Sequence, residues 1–508
     1  MLLFTLLLAA GCASPPSHRQ HSEMLPAGQS SLGRSIFAQS ATHAGLSGFY
    51  LLPGSSAAFR ARAELVRNAK SSIDLQYYIV QDGLSTRALL DELIKAADRG
   101  VRVRMLLDDT TSDGLDDVLA ALASHPNIQV RLFNPLHLGR ATGVTRGLGR
   151  LMNLSQQHRR MHNKLWLADD SAAIVGGRNI GDEYFDAEPN LNFTDIDLLG
   201  MGPVARELGD SFDQYWNSAL SRPIGEVYGA ARNDALAGLR RDLERSLAEA
   251  SAKRKKLYDR LMSYRQHPQL DSWRQQLIWA PSKVLWDAPS KILSQGAPDP
   301  HLLLTTQLAP ELLAVNQELI LVSAYFVPRE TGLLYLTGAA DTGVQVSLLT
   351  NSLEATDVPA VHGGYAPYRK ALLEHGVKLF ELRRQPGEDN AFHYPLHGSS
   401  DSSLHSKAMV FDRRKVFLGS FNFDPRSVLW NTEVGVLVDS PELAQATRQL
   451  ALQGMSPALS YQVELQGEQL TWATEDNGRL HRLTREPGGW WRRLNAWVSQ
   501  AIGLERLL

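Results

Sequence analysis

Hydrophobic and polar positions along this chain switch between a period of two and a helical period, and the same succession occurs twice. From Ala63 onward the pattern predicts a helix (AELVRNAK), a strand (SIDLQYYIV), a helix (STRALLDELIKAADRG) and a strand (VRVRMLLDD). From Glu311 onward it predicts the same order: ELLAVNQE, LILVSAYFV, ETGLLYLTGAADTG and VQVSLLTNS. Strand-length apolar runs alternating with helical patterns indicate a parallel sheet in an α/β fold. Each half runs on to a histidine-bearing strand. Gly100 to His162 is 62 residues, and Gly343 to His405 is also 62. Internal duplication is the simplest account of that equality.

The segments around the halves read differently. Residues 232–265 carry ten basic and five acidic side chains. Leu236, Leu239, Leu243 and Leu247 fall at helical spacing, followed by the cluster Lys253-Arg254-Lys255-Lys256. This predicts an amphipathic helix whose Leu stripe packs on the body, or whose basic face meets anionic headgroups. Near the C-terminus, Trp490, Leu494, Trp497, Val498 and Ala501 would share one helical face beside Arg492 and Arg493. That pattern suits a membrane interface or packing onto the domain.

Met1 to Cys12 reads MLLFTLLLAAGC, too short an apolar run to span a bilayer. It resembles a bacterial lipoprotein signal, in which Cys12 is lipidated and becomes the mature N-terminus. Two departures are visible: no Lys or Arg precedes the run, and Ala9 stands where Leu is usual. The Ser-, Pro- and Gly-rich stretch that follows reads as a tether, and no later apolar run is long enough for a transmembrane helix. The division expected is thus a signal at 1–12, a flexible tether at 13–44, a first α/β unit at 45–221, a helical basic insertion at 222–300, a second α/β unit at 301–470 and a C-terminal amphipathic segment at 471–508.

Composition sharpens this picture in three respects. The 508 residues are 44% hydrophobic and 21% charged, enough for a large core and incompatible with global disorder. The net charge of −2 argues against a generally cationic nucleic-acid coat. Cys12 is the single cysteine, so neither an intramolecular disulfide nor a CxxC metal site exists.

Two motifs carry the chemistry. His162-Asn163-Lys164 is followed by Asp169 and by Gly176-Gly177-Arg178-Asn179. His405-Ser406-Lys407 is followed by Asp412 and by Gly419-Ser420-Phe421-Asn422. Both read HxKxxxxD, then GxxN at the same offset. One copy would be weak evidence; two at equivalent places in a duplicated chain are strong. In a strand, HxK puts His and Lys on one face. If the halves pack about a pseudo-twofold axis, two imidazoles, two ammonium groups and two Asn donors meet at one site. Such a site suits a phosphodiester. Lys164, Lys407, Asn179 and Asn422 would hold the non-bridging oxygens while one His attacks phosphorus and the other protonates the leaving oxygen. Two such displacements retain configuration at phosphorus. The lysines supply the positive charge, so no metal and no cofactor is expected. A nucleophilic His needs its second ring nitrogen held by an acceptor. Asp195 and Glu433, which lie 33 and 28 residues after their histidines, are candidates. Asp169 and Asp412, at strand ends, are grouped with the catalytic motif but are expected to bind backbone or brace the site rather than take protons.

These residues resemble the duplicated HKD motif of the phospholipase D superfamily, and the likeness covers about residues 45–508. It implies two tandem PLD-like α/β/α sandwich domains related by a pseudo-twofold axis, with one shared active site. It also implies that His162 is the nucleophile and His405 the general acid/base, an order that symmetry alone leaves open. The closer likeness is to bacterial cardiolipin synthases of the C-type branch. It rests on Thr350-Asn351-Ser352-Leu353-Glu354-Ala355-Thr356-Asp357-Val358, Val361-His362-Gly363-Gly364-Tyr365, Arg160-Met161 and the Leu507-Leu508 ending. Better-known members begin with two transmembrane helices, where this chain has a lipoprotein-like signal. The implied activity is transfer of a phosphatidyl group to phosphatidylglycerol, with phosphatidylglycerol or phosphatidylethanolamine as donor. The implied place is the periplasmic side of a bacterial membrane; Ala13 after Cys12 favours the outer membrane. His362, Tyr365 and Tyr368 would line the pocket mouth or pack in the loop, and His393 and His397 receive no role.

Three other readings compete. Water as acceptor would make the chain a hydrolase releasing phosphatidic acid. A nucleic-acid phosphodiesterase is disfavoured by the near-neutral charge, so no nucleic-acid partner is expected. An inactive scaffold is disfavoured by two intact motifs.

Overall fold

The structure is a computed structural model and describes residues 22–23, 30–109, 114–135, 158–188, 192–384 and 402–501. Cys12, His393, His397 and Leu507-Leu508 lie outside the described residues.

Two mixed sheets repeat one strand order. The first runs Ile278–Ala280, Ser47–Leu52, Asp197–Met201, Ala172–Gly176, Leu165–Ala168, Ser72–Tyr77, Arg102–Asp108, Ile128–Phe133, Ser221–Pro223. The second runs Ser282–Trp286, Val434–Asp439, Lys415–Gly419, Lys407–Phe411, Glu318–Ser323, Gln345–Asn351, Lys378–Leu382, followed by three further strands. In each half the predicted strand, helix and second strand form a right-ordered parallel unit: Ser72–Tyr77, Leu84–Asp98 and Arg102–Asp108, then Glu318–Ser323, Arg329–Asp341 and Gln345–Asn351. Gly100 and Gly343 adopt φ of +92° and +96° just past these helices. Residues with a side chain rarely take that left-handed conformation, and it is the one that ends a helix.

Period-two alternation decides which face each residue serves. Leu165 and Leu167 point into a core between the two sheets, whereas Trp166 and Ala168 point into the outer core of the first half. Ala408 and Val410 share that middle core, and Met409 and Phe411 face the outer core of the second half. The middle core joins the halves: Val175 and Leu198 belong to one cluster with Leu418 and Val436, and helix Pro203–Trp216 packs within it. At about 1.5–3 kcal/mol per fully buried aliphatic side chain, this shared core holds the two sheets together and fixes everything mounted on their facing ends.

Three expected boundaries move. The tether at 13–44 is not flexible throughout, because Ser31–Ala41 is a helix. Ser30 caps it by accepting from the Gly33 N–H at 2.7 Å, and Leu32 and Ile36, one turn apart, bury against the first half. The insertion at 222–300 is helical only in part. Ala235–Lys253 buries Leu239, Leu243 and Leu247 on the body, leaving Lys253 to Lys256 exposed. The chain then forms Ile278–Ala280 on the first sheet and, one residue later, Ser282–Trp286 on the second. The C-terminal segment at 471–508 does not begin at 471, since Gln469–Asp476 and Arg479–Leu483 extend the second sheet as a hairpin. Its turn is Asn477-Gly478, both at positive φ (49° and 75°), the pair that favours a tight hairpin. Among the described residues no helix is long and apolar enough to cross a membrane.

Candidate active site

Each motif histidine sits just before its own strand and is bonded through its backbone to a threonine of the other half. The His162 N–H donates to Thr432 O at 2.9 Å, and the Thr432 N–H donates to Arg160 O at 2.9 Å. Likewise Ser402–Leu404 pairs in parallel with Asn192–Thr194, and the His405 N–H donates to Thr194 O at 2.8 Å. The residue after each threonine is the acid. His162 Nδ1 lies 2.9 and 3.0 Å from the Glu433 carboxylate oxygens, and His405 Nδ1 lies 2.9 Å from Asp195 Oδ2. The two pairs are therefore crossed between the halves. A carboxylate accepts, so Nδ1 carries the proton and Nε2 the lone pair. Both rings are nearly closed off, at 6% and 5% exposure.

The lysines are buried beside the histidines. Lys164 Nζ donates to His162 O at 2.6 Å, and Lys407 Nζ donates to His405 O. Burial lowers both ammonium pKa values, Lys164 well below its usual value. The histidines feel both cations. Burial, then Lys164, Lys407 and Arg426, hold His162 well below 6.5. Burial, Lys407 and, more weakly, Lys164 bring His405 down to about 4, against the pull of Asp195. Each lysine thus acts on the histidine of the other half, as groups around one site must. The two acids respond in opposite directions. Burial pushes Glu433 up, against Lys164 and the hydroxyls of Ser420 and Ser427. Burial also opposes ionisation of Asp195, but the bond from His405 and the charges of His405, Lys407 and Arg178 outweigh it and hold Asp195 low.

The remaining motif residues tie the site to the sheets. Asn179 Oδ1 accepts from the Ile79 N–H at 3.2 Å, and Asn422 Oδ1 accepts from the Tyr325 N–H at 3.4 Å. Asn179 Nδ2 donates to the Tyr184 hydroxyl at 2.9 Å. Asp169 and Asp412 stand apart from the imidazoles, in hairpin turns with φ of 53° and 50°. Asp169 accepts from the N–H groups of Lys70, Ser71 and Ser72, and Asp412 from those of Asn316, Gln317 and Glu318. Each clamps its turn to the start of the adjacent strand, which runs antiparallel to its own. No histidine contact places either aspartate among proton-transfer groups, so their position is that of braces.

Several wall residues carry no motif. The Tyr78 ring meets His162 edge-on at 5.1 Å and lies 5.3 Å from Lys164 Nζ. Tyr184 and Phe193 lie 5.2 and 5.1 Å from His405. Arg426 opens the short helix Arg426–Trp430, next to Ser427, whose hydroxyl donates to Glu433 at 2.8 Å. One signal in the sequence points to Tyr78: it follows a parallel strand at its C-terminal end, where α/β sheets bind ligands. His362 and Tyr365 do not line a mouth. They turn inward, at 4% and 2% exposure, around the buried Arg369. His362, Glu381 and Glu486 come close enough together to suggest a metal site. Arg369 already fills that space, 2.8 Å from Glu381 and bonded to Glu486 and His362. Tyr368 packs against the outer core of the second half.

Comparison with known proteins finds relatives for both halves of the chain. The family described as "Cardiolipin synthase, PLD-like domain" matches residues 63–216 and 310–453, the two halves. The chain is 37% identical over 478 residues to cardiolipin synthase C of Escherichia coli K12, covering 92% of this chain and 97% of that protein. It is 26% identical over 385 residues to a cardiolipin synthase of Staphylococcus aureus, covering 76% of this chain and 62% of that one. Among solved structures, phosphatidylserine synthase of Haemophilus influenzae aligns with a TM-score of 0.57 at 14% identity, over 93% of this chain and 99% of that one. That likeness concerns the fold.

Proposed function

The chain belongs to the PLD-like domain family of cardiolipin synthases, and from that premise we propose that it makes cardiolipin by phosphatidyl transfer through a phosphohistidine. In the first step His162 Nε2 attacks the phosphorus of the donor lipid. The bond from phosphorus to the headgroup oxygen breaks, and His405 gives that oxygen its proton. In the second step His405 Nε2 takes the proton of the terminal hydroxyl of phosphatidylglycerol. The oxygen attacks phosphorus and the P–N bond breaks, regenerating His162. Lys164 and Lys407 neutralise the non-bridging oxygens in a site with almost no water access. An arriving phosphodiester anion raises the basicity of His405, which in the free site is held low by burial and by Lys407.

The observation that carries this reading is the crossed pair of histidine–carboxylate contacts at one buried, doubly cationic site. His162 as the nucleophile is supported by its acceptor Glu433, which the Ser420 and Ser427 hydroxyls hold in place against the ring. His405 as acid/base is supported by Asp195, which stays ionised beside it to stabilise the imidazolium. The reading includes a lipid on Cys12 holding the protein at the periplasmic leaflet of the outer membrane, which rests on the sequence alone. Mass measurement of the N-terminal peptide in wild type and Cys12→Ser checks that element.

The test uses the full chain with phosphatidylglycerol vesicles, with and without phosphatidylethanolamine, and chromatographic lipid analysis. Cardiolipin formed by wild type and lost in His162→Ala and His405→Ala is the expected result. Dependence on phosphatidylethanolamine would name the donor. Phosphatidic acid without cardiolipin would refute transfer and make the enzyme a phospholipase D.

A further inference from the structure

The C-terminal helix Trp490–Ala501 is mounted firmly on the body yet turns its most apolar side chains outward. Its inner face is small: Ala496 is 8% exposed and Ser499 4%. The Ser499 hydroxyl donates to Ala360 O at 2.9 Å. Ala496 lies so close to Gly363 that a Cβ there would come within 2.3 Å of Ala496 O, so only glycine allows this approach. Arg492 donates to Thr356 O at 2.6 Å and Leu353 O at 3.2 Å, and Arg493 donates to Glu486 O at 2.7 Å. The outer face holds Trp490 at 70%, Trp491 at 58%, Leu494 at 40%, Trp497 at 63% and Val498 at 41% exposure. Of the thirteen large hydrophobic side chains that are exposed among the described residues, five fall on this one helix. Scattered exposed apolar residues are ordinary, but a concentration on one rigid element marks a contact surface.

We propose that this face is a membrane-docking surface, inserting its tryptophans among the headgroups of a phospholipid bilayer and seating the catalytic site on its substrate pool. Residue chemistry favours a bilayer over a protein partner. Three indoles on one face combine an apolar body with a polar N–H, the property that concentrates Trp at membrane interfaces. Position favours it too. The segment Leu353–Thr356 that Arg492 grips runs directly into Asp357, which accepts from the Tyr325 hydroxyl at 2.7 Å. The Tyr325 N–H in turn donates to Asn422 of the second motif. The helix is therefore fixed to the wall of the site. The choice of bilayer rests on the proposed function, since a lipid headgroup must reach histidines that are only 5–6% exposed.

The test uses the full chain carrying Cys12→Ser, which removes any N-terminal lipid as an anchor, compared with the same chain carrying Trp490→Ala, Trp491→Ala and Trp497→Ala. Flotation with phosphatidylethanolamine/phosphatidylglycerol vesicles reads binding. Thermal unfolding and turnover of soluble bis(p-nitrophenyl) phosphate read the fold and the site. The expected result is a fall in vesicle partition of about tenfold or more, with melting and soluble turnover kept. A milder variant, Trp497→Ala alone, should fall part of the way. Brominated lipid in the bilayer should quench tryptophan emission in the parent and quench it less in the triple variant. Equal vesicle binding by parent and triple variant would overturn the proposal. So would a change of oligomeric state in the triple variant with vesicle binding intact, which would assign the face to a second copy of the chain. Wild type that binds vesicles but makes no cardiolipin would instead count against the proposed function and leave the docking surface standing.

Discussion

Glu433→Gln and Asp195→Asn separate the two histidines by the chemistry each supports. Both substitutions keep size and a hydrogen-bond acceptor while removing the charge. Glu433 takes Nδ1 of His162 at 2.9 and 3.0 Å, and Asp195 takes Nδ1 of His405 at 2.9 Å. A hydrogen bond to a charged partner is worth about 1.5–3 kcal/mol against about 1 for a neutral one. The difference, up to about 2 kcal/mol as an imidazolium-like centre develops, should therefore slow the dependent step by as much as about 30-fold. With lipid substrates both variants should be slow, so the distinction needs a leaving group that requires no proton. Bis(p-nitrophenyl) phosphate releases p-nitrophenolate unaided, and the pre-steady-state burst of colour reports formation of the phosphoenzyme. If Glu433 supports the nucleophile, Glu433→Gln slows the burst by the full factor. If Asp195 supports only the acid/base, Asp195→Asn leaves the burst within about threefold and slows the steady state that follows. A burst slowed by Asp195→Asn and spared by Glu433→Gln would refute the assignment, for it would make His405 the nucleophile. Equal slowing by both would refute the division of labour.

Other consequences follow from the same contacts. Asp169→Ala should destabilise the fold by about 2–4 kcal/mol in denaturant titration, because three backbone N–H groups lose their acceptor. Soluble turnover at low temperature should stay near wild type; a variant that is stable but dead would show that Asp169 touches the chemistry. His405 is held at about 4 when folded, below the usual 6.5, by burial and by Lys407. Between those values the unfolded chain binds a proton that the folded ring refuses, so stability rises with pH, and about 2 kcal/mol from this group is lost between pH 7 and pH 5. His405→Asn should flatten that part of the pH–stability curve, as measured by urea unfolding at the two pH values. At Gly177 an added Cβ would lie 2.4 Å from Asp195 Oδ2 and 2.7 Å from His405 O. Gly177→Ala should therefore cut activity at least about tenfold by displacing the Asp195–His405 pair, and full activity would show that the pair tolerates movement.

What the sequence displays and what it hides differ in kind. The duplicated α/β halves were legible because Gly100 and Gly343 end equivalent helices and because the strands between them alternate with period two. The alternation of Leu165, Trp166, Leu167 and Ala168 between two cores is local geometry, and local geometry is written in the order of residues. The helix Ser31–Ala41 was hidden by its Ser-rich composition, although Ser30, Leu32 and Ile36 carry a cap and an apolar stripe. The hairpin turning at Asn477-Gly478 carries its signal openly, since that dipeptide is the strongest short hairpin signal. The two acids stand out in the sequence, but which histidine each one meets does not. His162 and Glu433 are 271 residues apart and His405 and Asp195 are 210 apart. Spacing within one half says which acid follows a histidine, not which acid meets it after the halves pack.

The crossing has a consequence for how a duplicated chain acquires two unlike histidines. Because each acid serves the other half, neither half carries a complete histidine–carboxylate pair, and substitutions in one half tune the imidazole of the other. Position 177 is glycine because Asp195 leaves no room for a side chain there. The equivalent position holds Ser420, whose hydroxyl donates to the longer Glu433, as does that of Ser427 at 2.8 Å. Glu433 is thus clamped by two hydroxyls, and its backbone N–H is held by Asp287 at 2.8 Å. A clamp of that kind fixes the direction of the His162 lone pair, which is what an attacking nitrogen needs. Among the described residues no hydroxyl is bonded to Asp195, which answers to His405, Lys407 and Arg178 instead. A carboxylate that remains charged beside a ring suits a group that must hold a proton, release it to one oxygen and recover it from another. In the proposed mechanism, the unequal residues at 177 and 420 fit one repeated scaffold to a nucleophile on one side and a proton carrier on the other.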